Sequence, residues 1–224
     1  MIENKKYVAL CFSIMAMAIM AFTLSGCGQK GNHAKGVYML VDTSGTYTTE
    51  LKKAQSIINY LLGTLQPGDT LAVGRIDTGS FSERDIVAKV TFDDRPSIAN
   101  NQKRAFQKKI DDFVNSTRRS SYTDISGGIL QAIEYLNESQ SGRKYIMIFS
   151  DLQEELASGY VRDVPFALDG FNVVALNVTK LKNDIRDPKN YYQRVEDWRD
   201  KSVSGGGEWK MINDLERLDR MFQN

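Results

Sequence analysis

The chain contains 224 residues, with 29 basic and 28 acidic side chains, a formal net charge of +1, two cysteines and one histidine. A charge balance this even gives no electrostatic footprint for nucleic acid, which we therefore exclude as a partner. The histidine is His33 and the cysteines are Cys11 and Cys27, all near the N-terminus. The rest of the chain thus lacks the residues for a zinc site of the usual ligand types, a cysteine protease or a Ser-His-Asp hydrolase.

The first 27 residues have the pattern of an export signal and not of a folded domain. Lys5 and Lys6 precede an almost wholly apolar run over 7–24, which ends in the residues Leu24-Ser25-Gly26-Cys27. Small residues directly before a cysteine at the end of such a run resemble the lipobox of bacterial lipoproteins. The resemblance implies cleavage before Cys27 and acylation of that cysteine.

Two interpretations of this segment remain open. The resemblance predicts a signal peptide at 1–26, a lipidated Cys27 with a short tether reaching residue 35, and one domain at 36–224. The alternative is an uncleaved transmembrane anchor, because about 18 apolar residues are nearly enough to span a bilayer. Both interpretations place the domain in the cell envelope on the extracytoplasmic side of the membrane, which is the periplasm in a Gram-negative host.

Strand and helix patterns alternate from residue 36 to the end of the chain. Continuous apolar runs predict strands, and apolar side chains at three- and four-residue spacing predict helices. The predicted strands are 37–41, 71–76, 86–92, 145–149, 171–178 and 209–212. The predicted helices are 51–65, 97–115, 125–136, a charged helix that contains Tyr191, Tyr192, Val195 and Trp198, and a closing helix at 214–222.

This alternation predicts an α/β fold, a three-layer sandwich with a mostly parallel central sheet and helices on both faces. The strand at 86–92 alternates apolar and polar residues and follows its predecessor after a short link, which predicts one antiparallel strand at the sheet edge. In the charged helix, the spacing of Tyr191, Tyr192 and Trp198 predicts core packing. The charged residues around them, including Arg194, are interpreted as a solvated face.

Oxygen-bearing side chains follow two of the central strands and precede one helix. Asp42, Ser44 and Thr46 come directly after the first strand, Thr123 lies where a loop enters a helix, and Asp151 follows the strand at 145–149. In such a sheet, ligands bind beyond the carboxyl ends of the strands, where the strand order switches. Carboxylate and hydroxyl oxygens suit a hard divalent cation such as Mg²⁺. The sequence therefore predicts a metal-centred binding site at this edge.

These three elements, in this order, resemble the metal-ion-dependent adhesion site of the von Willebrand factor A domain. The family pattern is DxSxS, then a threonine at a loop-to-helix junction, then an aspartate after an apolar strand. The resemblance extends over nearly all of residues 36–222 and implies a von Willebrand A-like, Rossmann-like fold without enzymatic activity. It implies that Mg²⁺, or Mn²⁺ or Ca²⁺, is bound by Asp42, Ser44, Thr46, Thr123 and Asp151. It further implies a protein partner whose Asp or Glu carboxylate completes the coordination of the cation.

The chain departs from the family pattern in two places. Thr46 stands where the pattern has a second serine, and its β-methyl group restricts the rotamers of the ligating hydroxyl. Leu152 follows Asp151 where many relatives have a glycine, and Glu154 and Glu155 come shortly after. We interpret these glutamates as residues that favour the start of a helix through its dipole, with crowding of the site by negative charge as the alternative.

Three other functions agree with parts of the sequence. In the first, the Asp-Ser turn starts the first helix with Thr48 or Thr49 as N-cap, and no metal binds. In the second, the protein is a haloacid-dehalogenase-like phosphatase, but that class needs a general acid at the position of Ser44, whose hydroxyl cannot transfer the proton efficiently. In the third, it is a lipid-anchored scaffold or assembly subunit whose contacts do not involve metal. Near the same edge, residues for which we predict turn or capping roles are Asp77, Ser121 and Asp124.

Overall fold

The computed structural model describes residues 33–45, residues 47–214 and residue 218. Several predicted features lie outside the described residues: the signal segment, Cys27, Thr46 and most of the closing helix at 214–222. What we expect of these features remains a prediction. None of the helices in the described part of the chain combines the length and the apolar character needed to cross a membrane.

The described residues form six strands and five helices. The six strands and four of the helices follow the predicted order, and the short helix at Lys182–Arg186 was not predicted. The strands are β1 (Lys35–Asp42), β2 (Thr70–Ile76), β3 (Ile86–Thr91), β4 (Arg143–Phe149), β5 (Phe171–Leu176) and β6 (Glu208–Ile212). The helices are α1 (Leu51–Thr64), α2 (Pro96–Ser116), α3 (Ile125–Glu138), α4 (Lys182–Arg186) and α5 (Pro188–Ser204), with short 3₁₀ turns at Thr48–Glu50 and Glu83–Asp85.

The strands form one sheet in the order β3-β2-β1-β4-β5-β6. All neighbouring pairs are parallel except β2 and β3, which run antiparallel at one edge. The prediction of a mostly parallel sheet with one antiparallel edge strand is therefore confirmed.

The sheet has an apolar core on each face, and this explains why β1 is apolar along its whole length. Alternate residues of a strand point to opposite faces. Val37 and Met39 belong to the core that includes α1 and α2, whereas Tyr38 and Leu40 belong to the core that includes α3 and α5. The three-layer prediction is confirmed.

One core prediction for α5 is wrong. Tyr191 and Trp198 are buried as predicted, with 8% and 3% of their surface exposed, but Tyr192 is 62% exposed. Consecutive helical residues lie about 100° apart, since a turn takes 3.6 residues, so Tyr192 cannot share the buried face with Tyr191.

The strand order places a crevice at the carboxyl end of β1. The chain leaves β1 for β2 on one side of it, and β4 pairs with its other side. The register pairs Val41 of β1 with Phe149 of β4, so the residues that follow these two strands emerge side by side. Such a switch point in strand order is where open α/β sheets bind ligands.

Candidate metal centre

Asp42 is the last residue of β1 and is fully buried. Its Oδ1 atom accepts the backbone N–H of Ser44 at 2.7 Å, and its Oδ2 atom accepts the hydroxyl of Ser150 at 2.6 Å. Burial raises the pKa of Asp42 to about 6, the two hydrogen bonds oppose this rise, and the nearby charge of Asp151 adds to it. The carboxylate is therefore held rigidly in a place where its negative charge is poorly solvated, and a cation there would stabilise that charge.

Backbone contacts on both sides hold the loop after β1. The carbonyl of Thr43 accepts the N–H of Ser120 at 2.9 Å, and Ser44 and Ser120 form an isolated parallel bridge. The hydroxyl of Thr43 donates to the carbonyl of Ile76 at the end of β2. Ser44 is thereby fixed between the end of β2 and the segment that leads to Thr123.

The alternative in which a threonine caps the first helix is wrong. The N-cap residues of the 3₁₀ turn and of α1 are Tyr47 and Glu50, and neither makes a side-chain capping bond. The hydroxyl of Thr48 instead donates backwards to the carbonyl of Ser44 at 2.9 Å. The Asp-Ser turn therefore does not serve as a helix cap of that kind.

Thr123 is buried just before α3. Its N–H donates to the carbonyl of Glu155 at 2.8 Å and its carbonyl accepts the N–H of Glu155 at 3.0 Å. Asp124, the next residue, is the N-cap of α3 and accepts the N–H of Gly127 at 2.8 Å. The capping role predicted for Asp124 is confirmed.

The predicted helix start after Asp151 is wrong, because the chain is irregular from there to residue 170. Glu154 instead reaches α3, where its carboxylate accepts the N–H of Ser126 at 2.7 Å and the Ser126 hydroxyl at 3.1 Å. The acidic side chain does serve a helix N-terminus, as its chemistry suggests, but that helix lies elsewhere in the sequence.

Asp151 and Leu152 form the tight turn after β4. The Asp151 carboxylate accepts the N–H of Gln153 at 2.9 Å, and the N–H of Leu152 donates to the Ser150 hydroxyl at 3.0 Å. Leu152 has a φ of 65°, in the left-handed region that favours glycine. Glycine would adopt this backbone conformation without strain. Leucine is accommodated here because its side chain is almost fully buried in the core beside α3 and α5.

Leu152→Gly should destabilise the protein by about 2 kcal/mol, because the buried side chain contributes more than the left-handed backbone costs. Guanidinium unfolding measures the change. Gln140→Gly is the matched control, since Gln140 also has a positive φ (54°) but an exposed side chain; this variant should be at least as stable as the wild type. A Leu152→Gly protein as stable as the wild type would contradict the prediction.

Side chains of α5 reach the same turn. The Arg194 Nε atom donates to the carbonyl of Asp151 at 2.8 Å, and the Trp198 indole donates to the carbonyl of Leu152 at 2.9 Å. The prediction that Arg194 belongs to a solvated face is wrong, because its side chain is only 10% exposed and is paired with Asp184. Its position three residues after Tyr191 and four before Trp198, on the apolar side of the helix, was the available sequence signal.

Three of the predicted ligands share one open cleft. Ser44, Thr123 and Asp151 line a cavity of about 960 Å³, and Ser121 also lines it. Asp42 does not line the cleft; it is fully buried, and its carboxylate accepts the backbone N–H of Ser44. Asp77 accepts the N–H of Thr78 and the hydroxyl of Ser120, which is the turn role predicted for it. The structure thus brings Asp42, Ser44, Thr123 and Asp151 to one edge, and Thr46 is outside the described residues.

The chemistry of these donors fits a hard cation. Within the described residues, no three histidine, cysteine, aspartate or glutamate side chains converge as a metal cluster. A cation here would rely on the carboxylates of Asp42 and Asp151 together with the hydroxyls of Ser44 and Thr123. All of these donors are oxygens, which Mg²⁺, Mn²⁺ and Ca²⁺ accept.

No protein-family model matches the sequence, and no curated protein matches it. Solved structures do resemble the fold. A von Willebrand factor type A protein from Catenulispora acidiphila has a TM-score of 0.54 at 14% identity, over 84% of this chain and 41% of that one. The pilus adhesin SpaC from Lactobacillus rhamnosus GG has a TM-score of 0.54 at 12% identity, over 86% of this chain and 29% of that one.

An aerotolerance-related membrane protein from Bacteroides fragilis has a TM-score of 0.50 at 12% identity, over 84% of this chain and 96% of that one. The chain spans less than half the length of the first two structures. At these identities the likeness establishes architecture alone. The described residues have a von Willebrand factor A-type α/β fold.

Proposed function

We propose that the protein is a binding module, lipid-anchored outside the cytoplasmic membrane, that engages a protein partner through a divalent cation. The observation that carries the proposal is that Ser44, Thr123 and Asp151 line one cleft and that the buried Asp42 is hydrogen-bonded to Ser44. Thr46 is proposed as a fifth ligand, and Cys27 as the site of lipidation, from the sequence alone. No catalytic residue is proposed.

In this proposal each side chain has a distinct part. Asp42 and Asp151 supply negative charge, while Ser44 and Thr123 supply neutral hydroxyl oxygens. A bound Mg²⁺, or Mn²⁺ or Ca²⁺, supplies a coordination position that an Asp or Glu carboxylate of the partner can fill. Because half of the described donors are neutral, the site retains attraction for that carboxylate, and the open cleft gives a protein segment access to it.

Titration calorimetry with Mg²⁺ and Mn²⁺ tests the metal site. We expect one saturable site, loss of at least tenfold in affinity in Ser44→Ala, and a melting temperature that rises with metal, since about 2.7 kcal/mol is gained at a hundredfold excess over Kd. Ser121→Ala is the matched control, because Ser121 lines the same cleft but is not a proposed ligand; it should bind like the wild type. Equal affinities in both variants would count against the assignment of Ser44.

Partner capture with and without chelator tests the binding role. Envelope proteins retained on the immobilised wild-type protein should be released by EDTA and should not bind the Ser44→Ala variant. Retention that is indifferent to both would favour the metal-independent scaffold or assembly subunit.

A further inference from the structure

Two consecutive backbone carbonyls beside the candidate metal centre are held by one helix. The carbonyls of Asp151 and Leu152 accept hydrogen bonds from Arg194 and Trp198 of α5 at 2.8 and 2.9 Å. Arg194 and Trp198 are four residues apart and therefore lie on the same face of the helix. The helix that lines one wall of the cleft thus contacts the backbone on which a proposed ligand is mounted.

Arg194 is itself fixed by Asp184 of α4. Its Nη1 and Nη2 atoms donate to the two oxygens of the Asp184 carboxylate at 3.2 and 2.7 Å. Asp184 is buried and also accepts the backbone N–H of Leu181 at 2.7 Å. The planar guanidinium of Arg194 therefore makes three directed hydrogen bonds, two to the Asp184 carboxylate and one to the Asp151 carbonyl. Together these bonds restrict the Arg194 side chain to one conformation.

The turn at Asp151 and Leu152 is strained, so contacts from other elements help to stabilise it. Leu152 has left-handed backbone geometry, which costs about 1–2 kcal/mol for a residue other than glycine. The chain that follows forms no helix and no strand of the sheet before residue 171. It is tied on that side by the paired backbone hydrogen bonds between Glu155 and Thr123 and by the contacts of Glu154 with Ser126. The hydrogen bonds from Arg194 and Trp198 restrain the peptide groups on both sides of the strained Leu152 Cα, one of which belongs to Asp151.

We propose that Arg194, held by Asp184, is the positioning residue for Asp151, so that α5 sets the geometry of the candidate metal centre. The expected effect of Arg194 on metal affinity rests on the proposed function. Its expected effect on the structure of the turn rests on the hydrogen-bond geometry alone. When a residue that hydrogen-bonds to a metal-ligating residue is removed, metal affinity typically falls 10- to 100-fold.

Positioning and simple electrostatics predict opposite results. A guanidinium beside a cation site repels the cation, so if Arg194 acted only through its charge, Arg194→Met would tighten Mg²⁺ binding. If Arg194 positions Asp151, the same substitution weakens Mg²⁺ binding about tenfold. Arg194→Lys keeps the charge but lacks the planar fork, and should therefore be intermediate.

Arg194→Met leaves Asp184 buried without its partner, which endangers folding. The double variant Asp184→Asn/Arg194→Met removes both charges and avoids this problem. We expect it to bind Mg²⁺ about tenfold more weakly, since the hold on Asp151 is still missing. Arg199→Met is the control, because Arg199 lies on the same helix with its side chain 47% exposed and paired with Glu196 and Asp200.

Amide hydrogen exchange in the absence of metal provides a second readout. Residues 151–155 should exchange faster in the double variant than in the wild type or in Arg199→Met. Faster exchange together with weaker Mg²⁺ binding supports the inference. Unchanged exchange, or tighter Mg²⁺ binding, overturns it. If the wild type itself bound no Mg²⁺ or Mn²⁺, the proposed function would fail, and the exchange rates would still decide whether Arg194 positions the turn.

Discussion

Asp42→Asn should stabilise the metal-free protein at pH 7.5, and it should also abolish the metal binding that we propose. The folded-state pKa of Asp42, about 6, lies above the ordinary value of 3.8. The folded state thus holds the proton more tightly than the unfolded chain, and its stability declines as the pH rises from below 4 through 6, by roughly 3 kcal/mol in total. Asparagine keeps the shape of the protonated side chain and carries no charge to desolvate.

We therefore expect Asp42→Asn to raise the free energy of unfolding at pH 7.5 by about 2 kcal/mol, or the melting temperature by roughly 4–8 °C. The gain should shrink when melting is repeated at pH 4.5, since Asp42 is then protonated in the folded wild type. Asp112→Asn, at an exposed position of α2, is the control and should change neither value. A variant less stable than the wild type at pH 7.5 would show that Asp42 is not destabilising when charged.

Arg162→Met should destabilise the protein by about 2–3 kcal/mol. Arg162 lies in the long segment between β4 and β5 and donates from Nε and Nη2 to the Asp124 carboxylate, with 2.7 Å as the shortest distance. Asp124 is 1% exposed, so loss of Arg162 leaves a buried charge without its cation. The expected loss of stability is smaller than for breaking a fully buried ion pair, because the Arg162 side chain is 18% exposed and partly solvated.

Guanidinium unfolding measures the change, and limited proteolysis locates it, since cleavage should begin within residues 153–170. Arg104→Met is the control, because Arg104 is exposed on α2 and should leave both measurements unchanged. If Arg162→Met kept wild-type stability and resisted cleavage, the ion pair with Asp124 would not hold the segment in place.

The sheet could be predicted because its strands are specified locally. The residues of β1 are apolar on both faces, which requires a layer on each side, and the alternation at β3 indicated an edge. That Ser44 and Asp151 line one cleft also followed from sequence, since they come after neighbouring parallel strands whose carboxyl ends share one edge. Thr123 lines the same cleft from the loop that enters α3. Whether these residues bind metal was a prediction from sequence and remains one.

What the sequence could not reveal were contacts between segments with no local link. The pairing of Arg162 with Asp124 spans 38 positions, and Glu154 reaches a helix start 28 positions earlier in the chain. A charged residue in a polar stretch is usually solvated, so neither pattern distinguishes a surface charge from a buried one. The left-handed geometry of Leu152 was equally hidden, because leucine carries no preference for it.

The hydrogen bond between Asp42 and Ser150 has a consequence for the order of folding. It joins residues 108 positions apart, so β4 must pair with β1 before the two carboxylates of the candidate centre can meet. The chain between residues 42 and 150 must lose conformational entropy to bring its ends together. This cost arises before the contacts between β1 and β4 can lower the free energy. Intermediates that contain only β1, α1 and β2 would have no assembled site. A divalent cation that bound there would act on the completed fold, slowing its unfolding without speeding its formation.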